Sequence, residues 1–323
     1  VSGAVPFEVV TMGETMLRLS PPAHGRLEHA DLLDLNVGGA ESNVAVALAR
    51  LGRRAAWISA LPDNPLGRRV AGAVAAAGVD VSGIRYTADG RVGVYFVEFG
   101  AAPRATEVFY DRAGSSCAQS LSFDAAMLHG VRFAVLSGIT LGLSAHAREV
   151  ALAFAAAARA SGAELVVDVN YRARLWSPEA AREATEILLR DADVVICSAR
   201  DASTLFGIGG DDDRAGAVEL AARFAPAARL VCLTCSERGS VAVERGGVVT
   251  AEPAVAATVI DRFGAGDAFV AGVVDSLLAG LAIRDTLAFA ARLAALKCTV
   301  AGDLSLASRA DVNALTQGDM LRR

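Results

Sequence analysis

Short β-branched runs alternate with Ala- and Leu-rich stretches of helical period along this chain, and that alternation constrains the fold more than any other feature. Strands are expected near 7–12, 55–60, 133–136, 165–169, 194–197, 229–233 and 241–244, and helices near 41–51, 67–77, 145–161, 178–190, 214–224, 267–279 and 283–300. Strands separated by helices of this length form right-handed βαβ units, so the chain reads as α/β with a mainly parallel central sheet covered on both faces. Ligands on such sheets bind at the carboxyl ends of the strands. Two stretches break the alternation. One is 14–37, with Pro21, Pro22 and Gly25; the other is 91–112, where Val92, Val94, Phe96, Val108 and Tyr110 alternate with other residues. Paired with each other, they would form a small β-lid that keeps water from a reaction beneath it. The alternative is a plain surface hairpin. No repeat, low-complexity tract or linker interrupts the sequence, so 1–323 is expected to be a single domain carrying that lid.

Composition excludes several functions. The chain is 53% hydrophobic and carries a net charge of −5, which leaves no global basic field for nucleic acid. Of its 31 basic residues only Lys297 is a lysine. No Gly-rich loop ends in Gly-Lys-Ser/Thr, and no strand lysine is present to hold phosphates in the manner of a protein kinase. An odd number of cysteines, five, and no stretch with the make-up of a signal peptide suggest a reduced, cytoplasmic protein. Cys232 and Cys235 have CxxC spacing but fall in an apolar strand-like run, where residues three apart face opposite sides. The apolar runs are too short for a membrane helix, and His24, His29, His129 and His146 lack metal-ligand spacing.

The most informative local pattern is Asp261-Arg262-Phe263-Gly264-Ala265-Gly266-Asp267, which leads into the apolar helical stretch 268–281. Small residues let backbone crowd a bound group, and the free N–H groups of a first helical turn point at an anion. A carboxylate there repels phosphate but can take the proton from a nucleophile attacking it. The plain alternative is a tight turn whose Asp caps a helix. A second glycine pattern, Gly38-Gly39-Ala40-Glu41-Ser42-Asn43, precedes an expected helix from Val44; Asn43 offers donor and acceptors that suit a polyol. It too has a plain reading, as an Asn-assisted helix start.

Taken together, Gly38-Gly39 with Asn43 and Asp261-x-x-Gly264-Ala265-Gly266-Asp267 resemble the two signatures of the PfkB (ribokinase-like) carbohydrate kinases, and the likeness runs to about Asp303. The resemblance implies a ribokinase-like three-layer sandwich with a mainly parallel central sheet and a small β-lid. It implies that Asp267 is the base for a sugar hydroxyl, with the amides of Gly264, Ala265 and Gly266 around the transferring phosphoryl group. Within the family the chain is similar to 2-keto-3-deoxygluconate kinases. The opening Gly13-Glu14-Thr15-Met16-Leu17-Arg18-Leu19-Ser20-Pro21-Pro22 resembles theirs, Tyr95 and Tyr110-Asp111-Arg112 match their sugar-acid contacts, and Asp168-Val169-Asn170-Tyr171-Arg172 matches their Asp-x-Asn-x-Arg segment. Asp303 matches a substrate-side Asp.

On the nucleotide side the resemblance implies roles for Asn170, Ser198, Thr234, Ser236, Gly239, Gly264 and Gly266, with Asp201 acting on Mg²⁺ through water. Three departures stand out. Ser236 replaces a glycine, Ser198 and Asp201 replace Asn and Glu, and Arg262 replaces Thr beside a loop that holds a monovalent cation, K⁺, in some relatives. The expected cofactors are ATP, Mg²⁺ and, if that loop is kept, K⁺.

A sugar acid needs a fork of N–H donors for its carboxylate, which Arg112 or Arg172 could supply. Arg172 could equally contact ATP phosphates or pair with Asp168. The expected reaction is ATP-dependent phosphorylation of 2-keto-3-deoxygluconate to its 6-phosphate. The rivals are a kinase for fructose, ribose or another keto-deoxy acid, and a sugar-binding regulator without catalysis. A nicotinamide enzyme would need Gly-x-Gly-x-x-Gly where Gly13-Glu14-Thr15-Met16 stands. The expected partners are ATP and a small sugar or sugar acid, without nucleic acid or membrane. Relatives often pair through their lids, and the apolar alternation in 91–112 permits that, so a homo-oligomer, dimer or higher, is expected.

Overall fold

The computed structural model, which describes residues 7–224 and 227–317, turns the alternation into strands and helices in this chain order. The strands are β1 (Val9–Met12), β2 (Met16–Ser20), β3 (Asp34–Gly38), β4 (Ala55–Pro62), β5 (Ile84–Thr87), β6 (Val94–Glu98), β7 (Glu107–Asp111), β8 (Phe133–Ser137), β9 (Glu164–Asp168), β10 (Val194–Ser198), β11 (Leu230–Thr234), β12 (Ser240–Glu244) and β13 (Val249–Glu252). The helices are α1 (Ala40–Arg50), α2 (Pro65–Ala76), α3 (Ser116–Ser120), α4 (Gly138–Leu143), α5 (Ala145–Ala160), α6 (Pro178–Leu189), α7 (Ala199–Phe206), α8 (Asp213–Phe224), α9 (Ala265–Leu278), α10 (Ile283–Cys298) and α11 (Arg309–Gln317).

Nine strands form the main sheet in the order β13-β12-β11-β10-β9-β8-β1-β4-β5. Pairing is parallel from β5 across to β11; β12 alone runs against its neighbours. Side chains alternate between two cores, as a two-sided sheet requires. Val10, Met12, Ala134 and Leu136 pack under α3 to α8, whereas Val9, Phe133 and Val135 pack under α1, α2 and α9 to α11. The result is a three-layer sandwich. Cys232 and Cys235 fall in opposite cores, and among the described residues all cysteines are free. Among the described residues no helix is long and apolar enough to cross a membrane.

The chain runs from β1 to β4 and β5 on one side, then returns to place β8 on the other side of β1. That reversal opens a crevice at the carboxyl ends of β1 and β8, the position where ligands bind such sheets. Over it lies a second sheet, β3-β2-β6-β7, built from the two segments that break the alternation. In it β2 pairs antiparallel with β3 and parallel with β6, and β6 pairs antiparallel with β7. This is the lid.

Candidate active site

The N-terminus of α9 is fixed by a glycine that nothing else could replace. Gly264, its cap, has φ +81, and a Cβ there would lie 1.9 Å from the Asp303 carbonyl oxygen. Asp261 holds the approach: its carboxylate accepts the amides of Phe263 (3.0 Å) and Gly302 (2.9 Å) and a guanidinium N–H of Arg18 (2.7 Å). The Ala265 amide already donates to the Arg262 carbonyl at 3.2 Å. The amides of Gly266 and Asp267 are therefore the first-turn donors left for an anion. Gly266 is exposed, and the space its Cβ would occupy is open.

Asp267 sits in that first turn, nearly buried, and accepts a hydrogen bond from Asn43 Nδ2 at 2.6 Å. The two glycine patterns, more than two hundred residues apart in sequence, therefore meet side chain to side chain. The sequence assigns Asn43 to the sugar; in the structure its Oδ1 accepts the Gly39 amide at 3.3 Å, so both ends of its amide hold protein. The helix α1 begins at Ala40, which puts Asn43 in its first turn. Burial raises the Asp267 carboxyl above the usual range, against the pull of Asn43 and the positive charges of Arg172 and Lys297. Burial and the Asp267 carboxylate push Asp168 up further, and Arg172 opposes this too. Arg172 makes no ion pair among the described residues, and its Nη1 donates to the Tyr171 carbonyl at 3.1 Å. Its charge thus faces both carboxyls.

Beneath the lid a charge cluster ties the lid sheet to the loops before α9 and after α10. Arg18, only 1% exposed, donates to Asp303 at 2.6 Å as well as to Asp261. Its guanidinium also lies over the rings of Phe99 and Phe263 at 5.3 and 5.6 Å. Asp303 accepts the Tyr95 hydroxyl at 2.5 Å, and Tyr95 stacks on the more exposed Tyr110. Burial pushes the Asp303 carboxyl up to about 6 despite Arg18. A Cβ on Gly38 would come within 2.4 Å of Asp303 Oδ2 and 2.5 Å of the Tyr95 hydroxyl, so Gly38 makes room for that pair. A Cβ on Gly39 would meet the Glu14 carbonyl at 2.1 Å, so Gly39 lets α1 close on the end of β1.

Arg112, expected to be a free fork for a carboxylate, is engaged. Its Nε donates to Glu14 Oε2 at 2.8 Å, its Nη2 bonds the same oxygen, and Ser115 bonds Glu14 Oε1. Glu14 follows β1, so the lid's last strand is clipped to the main sheet through this pair. Sequence reasoning also passed over Arg18 and Glu41. Arg18 is an arginine among the apolar residues of β2, the one available signal of a buried partner. Glu41 is fully buried; it accepts from the Ser137 amide at 3.1 Å and the Thr140 hydroxyl at 2.6 Å, and its Oε2 has no partner. Burial pushes it up to about 7.

The remaining residues line the ends of β9, β10 and β11. Ser198 and Thr234 are register partners there. Ser198 is less free than expected, because its hydroxyl caps α7 by accepting the Asp201 amide at 3.0 Å. Asp201 Oδ2 accepts the Tyr171 amide at 3.1 Å, while its buried Oδ1 has no hydrogen-bond donor and lies 3.6 Å from the exposed Arg200 Nε. That oxygen fits a divalent ion held through water. Among the described residues no group of three or more His, Cys, Asp or Glu could hold a metal alone, so such an ion would need phosphate oxygens as well. Asn170 and Ser236 both have positive φ, +41 and +55. Gly239 has φ +100, and a Cβ there would lie 2.1 Å from the Glu252 carbonyl oxygen.

The match to known proteins follows the same geometry. The family model described as pfkB family carbohydrate kinase matches residues 7–309. A 2-dehydro-3-deoxygalactonokinase of Haloferax volcanii is 41% identical, covering 96% of this chain and 97% of its own length. A fructokinase of Klebsiella pneumoniae is 33% identical over 98% of both chains. The crystal structure of 2-dehydro-3-deoxygluconokinase from Thermotoga maritima superposes with a TM-score of 0.88 at 32% identity, covering 97% of this chain and 100% of that one. A ribokinase-like sandwich, a lid and an Asp at a glycine-capped helix terminus thus come with family-wide similarity: the chain belongs to the PfkB family of carbohydrate kinases and is a sugar-kinase phosphotransferase.

Proposed function

We propose that this chain is an ATP-dependent kinase of a keto-deoxy sugar acid, 2-keto-3-deoxygluconate or its galactonate epimer, phosphorylating the terminal hydroxyl. The observation that carries the reading is Asp267, oriented by Asn43 at 2.6 Å beside the open first-turn amides of α9. Asp267 takes the proton of the sugar hydroxyl as that oxygen attacks the γ-phosphorus of ATP. Its raised affinity for a proton suits a base, which contributes about 10²–10⁴-fold. The amides of Gly266 and Asp267 donate to the phosphoryl oxygens as charge develops on them, each worth about 3 kcal/mol. Mg²⁺, when bound, supplies charge neutralisation of the phosphates, and Asp201 Oδ1 is the buried oxygen that fits it through water. Arg172 serves the substrate carboxylate, supported by its lack of a carboxylate partner and by two relatives named for keto-deoxy acids. The chain works as one unit, the lid closing over the crevice.

One observation favours a second reading. The Glu14 carboxylate already neutralises Arg112, which leaves a less basic pocket that would suit a neutral sugar, and one relative is named a fructokinase. Coupled ADP release across both keto-deoxy acids, fructose and ribose separates the two. The sugar-acid reading requires turnover on a keto-deoxy acid and a strong rise in its KM on Arg172→Ala. Faster turnover on fructose or ribose, with KM untouched by Arg172→Ala, would replace it with the neutral-sugar reading.

A further inference from the structure

The single lysine of the chain occupies an unusual place. Lys297 lies in the last turn of α10 at 1% exposure, and its ammonium donates to the backbone carbonyls of Asp261 at 3.0 Å and Val300 at 3.2 Å. No carboxylate lies within ion-pair distance of it among the described residues. A buried charge held only by carbonyl oxygens is costly, and an apolar side chain of similar length would be cheaper if packing were its only role.

The position suggests what the charge does. Asp261 opens the loop that leads to Gly264 and the anion-facing amides of α9. Two carboxyl groups stand behind that loop, Asp261 and Asp303, and two cations answer them, Arg18 and Lys297. Without the ammonium, the shell behind the amides would carry excess negative charge and oppose an incoming phosphate. Backbone carbonyls around a desolvated positive charge are also how proteins hold a bare monovalent cation. Here the Asp261 and Val300 carbonyls are taken by Nζ, so this loop does not fit K⁺.

We propose that the Lys297 ammonium is the built-in cation of the anion-binding loop, a positioning group that makes a free monovalent cation unnecessary. The catalytic arm of the test rests on the kinase reading; the binding arm does not. ADP release and thermal unfolding are measured in KCl and in tetramethylammonium chloride at equal ionic strength, the unfolding without nucleotide or sugar. The expected result for the wild type is the same kcat and the same unfolding midpoint in both salts. Lys297→Ala, with its carbonyl site vacated, loses at least about tenfold in kcat in tetramethylammonium, with sugar KM little changed. KCl restores kcat and raises its midpoint. Lys297→Met, whose side chain fills the space, stays impaired in both salts. A wild-type midpoint or kcat that rises with K⁺ overturns the proposal, as does wild-type kcat for Lys297→Ala in tetramethylammonium. Should neither variant fold, the wild-type comparison still decides. Absence of any sugar-dependent ADP release would sink the kinase reading and leave the unfolding comparison standing.

Discussion

On the lid side of α9, Arg18, Asp261, Asp303 and Tyr95 hold one another in place out of water, and every charged partner is itself partnered. On the other side, Ser198, Asp201, Thr234 and Ser236 line a strand edge where short hydroxyl side chains cap helices or stand exposed. The first region is a preorganised scaffold; the second is an open rim that a nucleotide would complete. The contrast teaches where rigidity is needed. On the proposed reading, proton transfer depends on placing Asp267 against one hydroxyl, which its locked surroundings would do, whereas a nucleotide would bring its own charge and its own metal.

The sharpest way to break that contrast is to remove one polar side chain on each side. Arg18→Met takes from Asp261 and Asp303 the guanidinium that ion-pairs with both, and urea unfolding should show a loss of about 3–5 kcal/mol. Ser198→Ala removes only a helix cap and should lose about 1 kcal/mol in the same assay. Equal losses would mean that the two sides are not differently built.

A second way uses pH. Burial holds Glu41 up to about 7 in the folded protein, against an ordinary value of 4.5. A carboxyl raised on folding stabilises fully below its unfolded value, and that stability is lost as pH rises through the folded one. Unfolding free energy should therefore fall between about pH 4.5 and 7, by on the order of 3 kcal/mol. Glu41→Gln should flatten that slope. A mutant with the wild-type slope would show that Glu41 is ionised in the fold.

The smallest expected effect lies on the rim. Ser236 sits at φ +55, in the left-handed region that favours glycine. Ser236→Gly should relieve about 1 kcal/mol of backbone strain, seen as a higher urea midpoint. A fall in stability would mean that the serine side chain matters more than the strain.

The frame of the molecule was legible in sequence because strand and helix periods were clear. Seven core strands were expected, and all seven pair in the main sheet. The edge strands β5 and β13 escaped notice because they lie half-exposed and lack an apolar run. The helices α3, α4, α7 and α11 were too short to show a period. The lid was legible as a break in the alternation. The site was legible as two glycine patterns, but the pairing of Asn43 with Asp267 was not, because it joins residues more than two hundred positions apart. Nor could spacing reveal that Arg112 would be claimed by Glu14, or that Arg18 would bridge two aspartates distant in sequence. Those are long-range contacts that only the folded lid creates.

The central claim is that Asp267 is the base and that the locked region exists to hold it. Asp267→Asn keeps the shape and can still accept the hydrogen bond from Asn43. The account predicts that ADP release from this variant on the best keto-deoxy acid falls by about 10²–10⁴-fold in kcat, with sugar KM and unfolding midpoint close to wild type. Turnover near the wild-type rate would contradict it.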